Sequence, residues 1–263
     1  MQDSLNDCIV FIYNKILSIL GMKTMSYNWT KKIKEIKELD STFLLAISGG
    51  VDSMAILDFF NRILPSTNFQ VAHFVHGIRD ENLEEPMIYE WCKKRNIEMF
   101  VGHGVNLKNA TNLEAKAREQ RWSFLEKIAS ENNHKIIVTA HHKNDLVENF
   151  LVQTMRGMPI ESTLMSKFVE KNNFIRYKPF LDTEKSVLKF SAERHNIPWI
   201  EDYTNSDTHH DRNFIRNQIL PQMMERRNVL KTIANTIESI RNIVPEPTIQ
   251  MENNVEQEHT MKI

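Results

Sequence analysis

Glycine is scarce in this chain, with seven residues in 263, well below the usage of about 7% typical of soluble proteins. Cysteine is scarcer still. Cys8 and Cys92 form no CxxC pair and no zinc set, which excludes a disulfide framework and points to a reducing, cytoplasmic setting. No excess of charge exists either: the formal net charge is −1, so any nucleic-acid binding must come from local patches. Long apolar runs are also missing. The stretch Ile9–Leu20 is preceded by Asp3 and Asp7 and broken by Asn14 and Lys15. A signal peptide needs a basic start and an unbroken core, and a membrane span needs about 20 apolar residues. Residues 1–38 are expected instead to be a helical extension packed on the domain, with Met22 and Met25 as possible later starts and no membrane partner.

What is present is a strand–helix alternation. Apolar runs at 43–47, 69–75, 97–101, 135–139 and 174–177 alternate with helical patterns at 53–64, 81–95, 112–131, 142–155 and 184–195. That order predicts an α/β fold: an open, mostly parallel five-stranded sheet with helices on both faces. Residues 39–200 form this domain. A small basic helical region follows at 201–245, and 246–263 reads as a polar, disordered tail. No internal repeat is visible.

Four of the seven glycines (Gly49, Gly50, Gly77 and Gly157) fall inside candidate motifs. The first motif is Ser48-Gly49-Gly50-Val51-Asp52-Ser53, between an apolar run and a helix start. Paired glycines let backbone N–H groups converge, and the following helix adds its unpaired amides, which together make a phosphate cradle. Asp52 inside such a cradle would repel phosphate unless it holds a cation such as Mg2+. The plain alternative is a well-capped strand–helix turn. Two further motifs follow strand ends, His76-Gly77-Ile78-Arg79 and His141-His142-Lys143-Asn144-Asp145-Leu146-Val147-Glu148. In an open parallel sheet ligands bind at the carboxyl ends of the strands, so all three should share one rim.

Asp145 and Glu148, three residues apart, lie on one helix face. Side by side they need a cation between them, a metal or the ammonium of an amine substrate; the plain reading is acids placed against a helix dipole. Adjacent His141 and His142 suit a hydrogen-bonding role and a cap better than shared metal ligation. In the helical segment 113–122, Glu114, Arg118 and Arg121 flank an apolar stripe, and arginine there suits phosphate or carboxylate recognition, with an internal Glu–Arg bridge as the alternative. His73 and His103 read as structural. The basic groups Lys31-Lys32-Lys34-Lys37, Lys93-Lys94-Arg95 and Arg212, Arg216, Arg226, Arg227 read singly as solvated helix faces.

Taken together these residues resemble a known family. SGGVDS resembles the signature loop of the PP-loop ATPases, a Rossmann-like group. Within it the chain is similar to the tRNA(Ile)-lysidine synthetases: His76-Gly77-Ile78-Arg79 to their HGLR, Glu114–Arg121 to their ExxARxxR helix, and Thr139–Glu148 with Arg156-Gly157 to their TAHHxxDxxE…RG segment. Lys178-Pro179-Phe180 is similar to RPL, Glu201-Asp202 with Asn205-Ser206-Asp207 to EDPSNxD, and Arg212-Asn213-Phe214-Ile215-Arg216 with Pro221 to RNxIR…P. The match runs from about residue 43 to 222.

The resemblance implies an ATP-consuming ligase. It would adenylate the wobble cytidine of a tRNA(Ile) with a CAU anticodon and transfer free L-lysine to it, releasing AMP and pyrophosphate. It also implies roles. Ser48, Gly49, Gly50, Val51, Asp52, Ser53, His76 and Arg79 would bind ATP, with Asp52 on Mg2+. Asp145 and Glu148 would hold lysine, Arg118 would act in catalysis, and Arg121, Arg156, Arg212, Asn213 and Arg216 would contact tRNA. Departures from the pattern are Asn144 for the second acid of HHxDD, Leu146 for the following Gln, Val75 for Asn before HG, and Tyr203-Thr204 in place of the EDPSN proline. The chain also resembles the shorter family members rather than the longer ones, which carry extra C-terminal domains for tRNA. A homodimer is left open. A tRNA thiolase would need paired cysteines that are lacking, and amidotransferase-type synthetases would not need the RNFIR helix. The remaining rival is a degenerate PP-loop domain that binds tRNA or nucleotide without catalysis.

Overall fold

Alternate residues of the first strand face opposite ways, and both sets are buried. Phe43, Leu45 and Ile47 belong to one core cluster and Leu44 to another, which is the mark of a sheet covered on both faces. The computed structural model describes residues 28–77, 83–105, 113–201 and 211–243. Residues 1–27 of the expected helical extension and the tail at 246–263 lie outside these residues.

Helix α1 (Trp29–Lys37) is capped by Asn28, whose Oδ1 accepts from Lys31 N at 3.0 Å, and leads into β1 (Phe43–Ala46). Then follow α2 (Val51–Ile63), β2 (Phe69–Val75), α3 (Glu84–Lys93), β3 (Met99–His103), α4 (Leu113–Glu131), β4 (Ile136–Thr139) and α5 (Lys143–Met155). The short α6 (Ile160–Thr163) precedes β5 (Phe168–Lys171), β6 (Phe174–Tyr177) and α7 (Lys185–Arg194).

The strand order is β3-β2-β1-β4-β6-β5, with every pair parallel except β5–β6. The sheet therefore has six strands, not five. The additional edge strand β5 pairs back on β6 through a two-residue turn, Asn172-Asn173, with φ of 54° and 65°. Two left-handed central residues define the type I′ hairpin turn, which Asn tolerates.

Asparagine also takes over glycine's usual place behind helices. Asn96, Asn133 and Asn196 have positive φ just after α3, α4 and α7, where the left-handed residue of a helix terminus usually sits. Among the described residues, positive φ in glycines is confined to Gly49, Gly77 and Gly157, all three in the candidate motifs.

Helices α1, α2, α3 and α7 cover one sheet face, with Phe59, Phe60, Phe180 and Leu188 in the core, and α4 covers the other with Trp122, Leu125 and Ala129. The chain runs from β1 outward to β3 and then returns to β4 on β1's other side. The switch point thus lies between β1 and β4, where such folds bind ligands.

The described part of the basic region is helical. It comprises α8 (Asp211–Phe214), a π turn (Ile215–Ile219), α9 (Leu220–Arg226) and α10 (Val229–Arg241). Pro221 has no N–H to donate to the carbonyl four residues back, and the wide turn ends just ahead of it. Ile215, Leu220, Val229 and Leu230 bury against Val147 and Val152 of α5. That contact seats the C-terminal helices beside the switch point.

Candidate active site

The loop after β1 is shaped from within. Ile47 N–H donates to Ala72 O at 3.0 Å. His73, singled out as a structural histidine, donates through Nδ1 to the Ile47 carbonyl at 2.8 Å. Burial pushes its pKa down, so the ring is a neutral donor. Ser53 Oγ is buried; it accepts from Ser48 N at 3.3 Å and Gly49 N at 3.1 Å and donates to Gly50 O at 2.9 Å. Gly49 has φ +91°, and a Cβ there would lie 2.7 Å from Glu84 Cβ, so both backbone and space demand glycine. At Gly50 a Cβ would meet only Ser48 Oγ at 3.8 Å, so the backbone ahead of α2 is unobstructed there. Ile200 N–H donates to Gly49 O at 3.0 Å, bracing the loop from the segment after α7.

Asp52, in the first turn of α2, faces the first turn of α5. His142 Nε2 is 3.5 Å and Lys185 Nζ 3.4 Å from its Oδ2, whereas its Oδ1 is buried without a hydrogen-bond partner. His142 caps α5: Asp145 N–H donates to its Nδ1 at 3.3 Å, and its own N–H donates to Asp145 Oδ2 at 2.9 Å. The other ring nitrogen, Nε2, faces Asp52. His141 bonds Thr139 Oγ1 at 2.8 Å. Burial first, and the nearby Lys178, Arg212 and Arg121 against the pull of Asp145, take its pKa down to about 4.

Asp145 and Glu148 are buried, Glu148 at 2% exposure, and both are gripped by arginines of the C-terminal region. Arg212 donates to Asp145 Oδ1 at 2.5 Å and to Glu148 Oε2 at 2.9 Å. Arg216 forks onto both oxygens of Glu148 at 2.9 and 2.7 Å. Burial works to raise the Asp145 pKa, but His142, Arg212 and His141 outweigh it and hold the carboxyl low. The hydrogen bonds to Glu148 push the Arg216 pKa up. Arg212 and Arg216, expected on the tRNA side, are thus placed on the two acids. The π turn at 215–219 accommodates Arg216 in this grip.

Across the rim, Arg118 is exposed and Arg121 half-buried on α4. Burial lowers both pKa values, and so does mutual repulsion with Arg176 and, for Arg118, Arg212. Arg176 is paired with Glu126 at 2.7 Å and stacked 3.6 Å over Trp122. Guanidiniums surrounded by guanidiniums make this corner receptive to an anion. Arg156 lies apart, forked onto Asp211 at 2.9 and 2.6 Å on the surface, and Asn213 is half-buried on α8. His76 stands at the end of β2, edge-on to Phe74. Arg79, Asp202, Asn205, Ser206, Asp207 and the Glu114 side chain lie outside the described residues.

Sequence reasoning missed Lys185. Nothing in its local pattern distinguishes it from other helical lysines; only the fold brings it to Asp52. Among the described residues no helix is long and apolar enough to cross a membrane, and no three His, Cys, Asp or Glu residues are grouped to hold a metal.

A glycine loop at the switch point of a parallel sheet, facing acids on the next rim helix, defines a class, and the comparisons agree with it. Residues 23–223 match the family model described as a PP-loop domain, and the chain belongs to that family. Within it, the chain is 31% identical to a tRNA(Ile)-lysidine synthase of Pseudothermotoga lettingae over 81% of its own length and 47% of that protein. It is 35% identical to the tRNA(Ile)-lysidine synthase of Thermosipho africanus, over 78% of this chain and 49% of that one. The chain spans about half the length of the curated relatives it matches. Two solved structures share the fold. The U34-tRNA thiolase NcsA from Methanococcus maripaludis has a TM-score of 0.65 at 15% identity, over 81% of this chain and 78% of that one. The NH3-dependent NAD synthetase from Campylobacter jejuni has a TM-score of 0.50 at 15% identity, over 86% and 100%.

Proposed function

We propose that this chain carries the chemistry of a tRNA(Ile)-lysidine synthase. ATP adenylates the C2 oxygen of the wobble cytidine in a CAU anticodon, with loss of pyrophosphate. The ε-amine of lysine then attacks C2 and AMP leaves with the oxygen, so that lysidine forms. The observation that carries the reading is the meeting at one rim of the SGGVDS loop and the Asp145–Glu148 pair, distant in sequence but bridged by His142 from Asp52 to Asp145. The sequence similarity to lysidine synthases, spread over most of the chain, supports it.

The residues fit the groups this requires. The unobstructed backbone at Gly50 and the first turn of α2 would take the phosphates. The buried, unpartnered Oδ1 of Asp52 suits Mg2+, which keeps several non-protein ligands and needs few carboxylates. When bound, that ion would neutralise charge on the phosphates. Arg118 and Arg121 would attract the anionic parts of ATP or tRNA. Asp145 and Glu148 would bind the amines of lysine once Arg212 and Arg216 exchange them for tRNA phosphate, with Arg156 and Asn213 beside the same approach. An anticodon loop is single-stranded, so its base turns out at modest cost. The proposed organisation is the ATPase domain at 39–200 and a tRNA-contacting helical region at 201–245.

The test is incubation with Mg-ATP, labelled lysine and a CAU-anticodon tRNA(Ile) transcript, followed by nuclease digestion and mass spectrometry. Lysine on the wobble cytidine, dependent on ATP and matched by AMP, is the expected result. One observation favours the binding-only reading, namely that both acids are already neutralised by arginine. Tight tRNA binding with no AMP would decide for it.

A further inference from the structure

Three helices begin at Asp52. It lies in the first turn of α2; α5 reaches it through its cap His142, and α7 through its first residue, Lys185. The start of α7 is pinned by two hydrogen bonds between facing segments. Lys143 N–H donates to Thr183 O at 2.8 Å, and Asn144 Oδ1 accepts from Lys185 N–H at 3.0 Å. The Lys185 backbone is therefore fixed, while its ammonium, on a side chain 40% exposed, reaches Asp52 Oδ2 at 3.4 Å.

We propose that Lys185 is a phosphate-binding residue whose ammonium moves from Asp52 to the β- and γ-phosphates of the nucleotide and stays on pyrophosphate as it leaves. The assignment of ATP rests on the function proposed above. Phosphate recognition rests on the geometry. A divalent cation on Asp52 and an ammonium on the same carboxylate repel each other, and a polyphosphate bound at the glycine loop beside Asp52 offers the ammonium a stronger anion. The other close cations, Arg212 and Arg216, are committed to Asp145 and Glu148. Lysine suits this exchange because it is a flexible point charge rather than a fixed fork.

The experiment is calorimetric binding of inorganic pyrophosphate, Mg-ATP and AMP to the full chain and to its Lys185→Ala and Lys185→Arg variants. A charged hydrogen bond of ordinary strength predicts that Lys185→Ala weakens pyrophosphate and Mg-ATP by about 10- to 100-fold. AMP, which lacks the β- and γ-phosphates, should bind unchanged, and Lys185→Arg should recover most of the loss. Unchanged pyrophosphate affinity in Lys185→Ala, an equal loss for AMP, or a wild-type chain that binds neither polyphosphate overturns the proposal. The two readings fail separately. Pyrophosphate binding through Lys185 without lysidine formation refutes the lysidine assignment alone; lysidine formation with full pyrophosphate affinity in Lys185→Ala refutes the lysine assignment alone.

Discussion

The two halves of the rim are held in opposite ways. The phosphate loop is a local structure: Ser53, five residues beyond Ser48, closes it through backbone groups, and Asp52 is left with one buried oxygen unsatisfied. The acid pair is a long-range structure. Asp145 and Glu148 are saturated by Arg212 and Arg216, more than 60 residues away. A buried carboxylate oxygen without a partner is costly, whereas a satisfied ionic network contributes to holding elements together. One side stores binding capacity; the other ties the C-terminal helices to the sheet. Substitutions should therefore separate rate from stability across the rim.

The largest effect is expected at Asp52. Asp52→Asn removes the carboxylate charge suited to a cation and should lower AMP production by at least about 10³-fold, since a metal at a phosphoryl centre is worth several kcal/mol. Urea denaturation should show little loss of stability, and filter binding should show tRNA retained. Equal turnover would take Asp52 out of the chemistry. Glu148→Ala should raise the lysine requirement and, unlike Asp52→Asn, also cost stability, because it leaves Arg216 without its fork and Arg212 with Asp145 alone. A broken buried pair is worth about 3–5 kcal/mol; the partial exposure of both arginines brings the expected loss to about 2–4 kcal/mol. A denaturation midpoint unchanged from wild type would show that the clamp contributes nothing.

His141 gives the comparison a pH axis. Its folded pKa of about 4 lies below the ordinary 6.5, so above pH 6.5 the ring is neutral in both states and the fold has its full stability. Between 6.5 and 4 the unfolded chain takes the proton first, and stability falls by up to about 3 kcal/mol. His73, His134 and His195 are depressed in the same sense, so the diagnostic quantity is a difference: His141→Gln should lose less stability than wild type over that interval. Asp145, held low, adds a further loss only at more acid pH, as it protonates. Identical pH profiles would show that His141 is not the buried neutral group described.

Much of the fold was legible because its signals are local. The apolar runs located five strands and the glycine loop located the switch point, since a chain so short of glycine keeps it for Gly49 and Gly77. The sixth strand escaped because Asn172-Asn173 stood in for the expected glycine turn and Glu170-Lys171 broke the apolar run. The helical character of the basic region was legible as well; the π turn ahead of Pro221 was not. Asp52, Asp145 and Glu148 were legible as charges that needed cations. Their present partners were not, because nothing in the sequence says that Arg212 and Arg216 will turn inward or that Lys185 will arrive at Asp52.

Asn144 sharpens the comparison because it joins the two regions, and it carries the smallest expected effect. Resemblance to HHxDD makes it look like a lost catalytic acid. The structure gives its side chain another task, since Oδ1 accepts the Lys185 N–H at the first turn of α7. An aspartate oxygen would accept the same bond and add charge favourable at a helix N-terminus, worth about 0.3–1 kcal/mol. Asn144→Asp should therefore be neutral to slightly stabilising and leave turnover near wild type. Asn144→Ala, which removes the acceptor, should cost about 1 kcal/mol and weaken pyrophosphate binding by loosening Lys185. Thermal denaturation of both variants, with pyrophosphate titrations, distinguishes the cases. A large gain in turnover from Asn144→Asp would mean that the position needs a charge rather than an acceptor, and would move it from the scaffold of α7 into the chemistry of the acid pair.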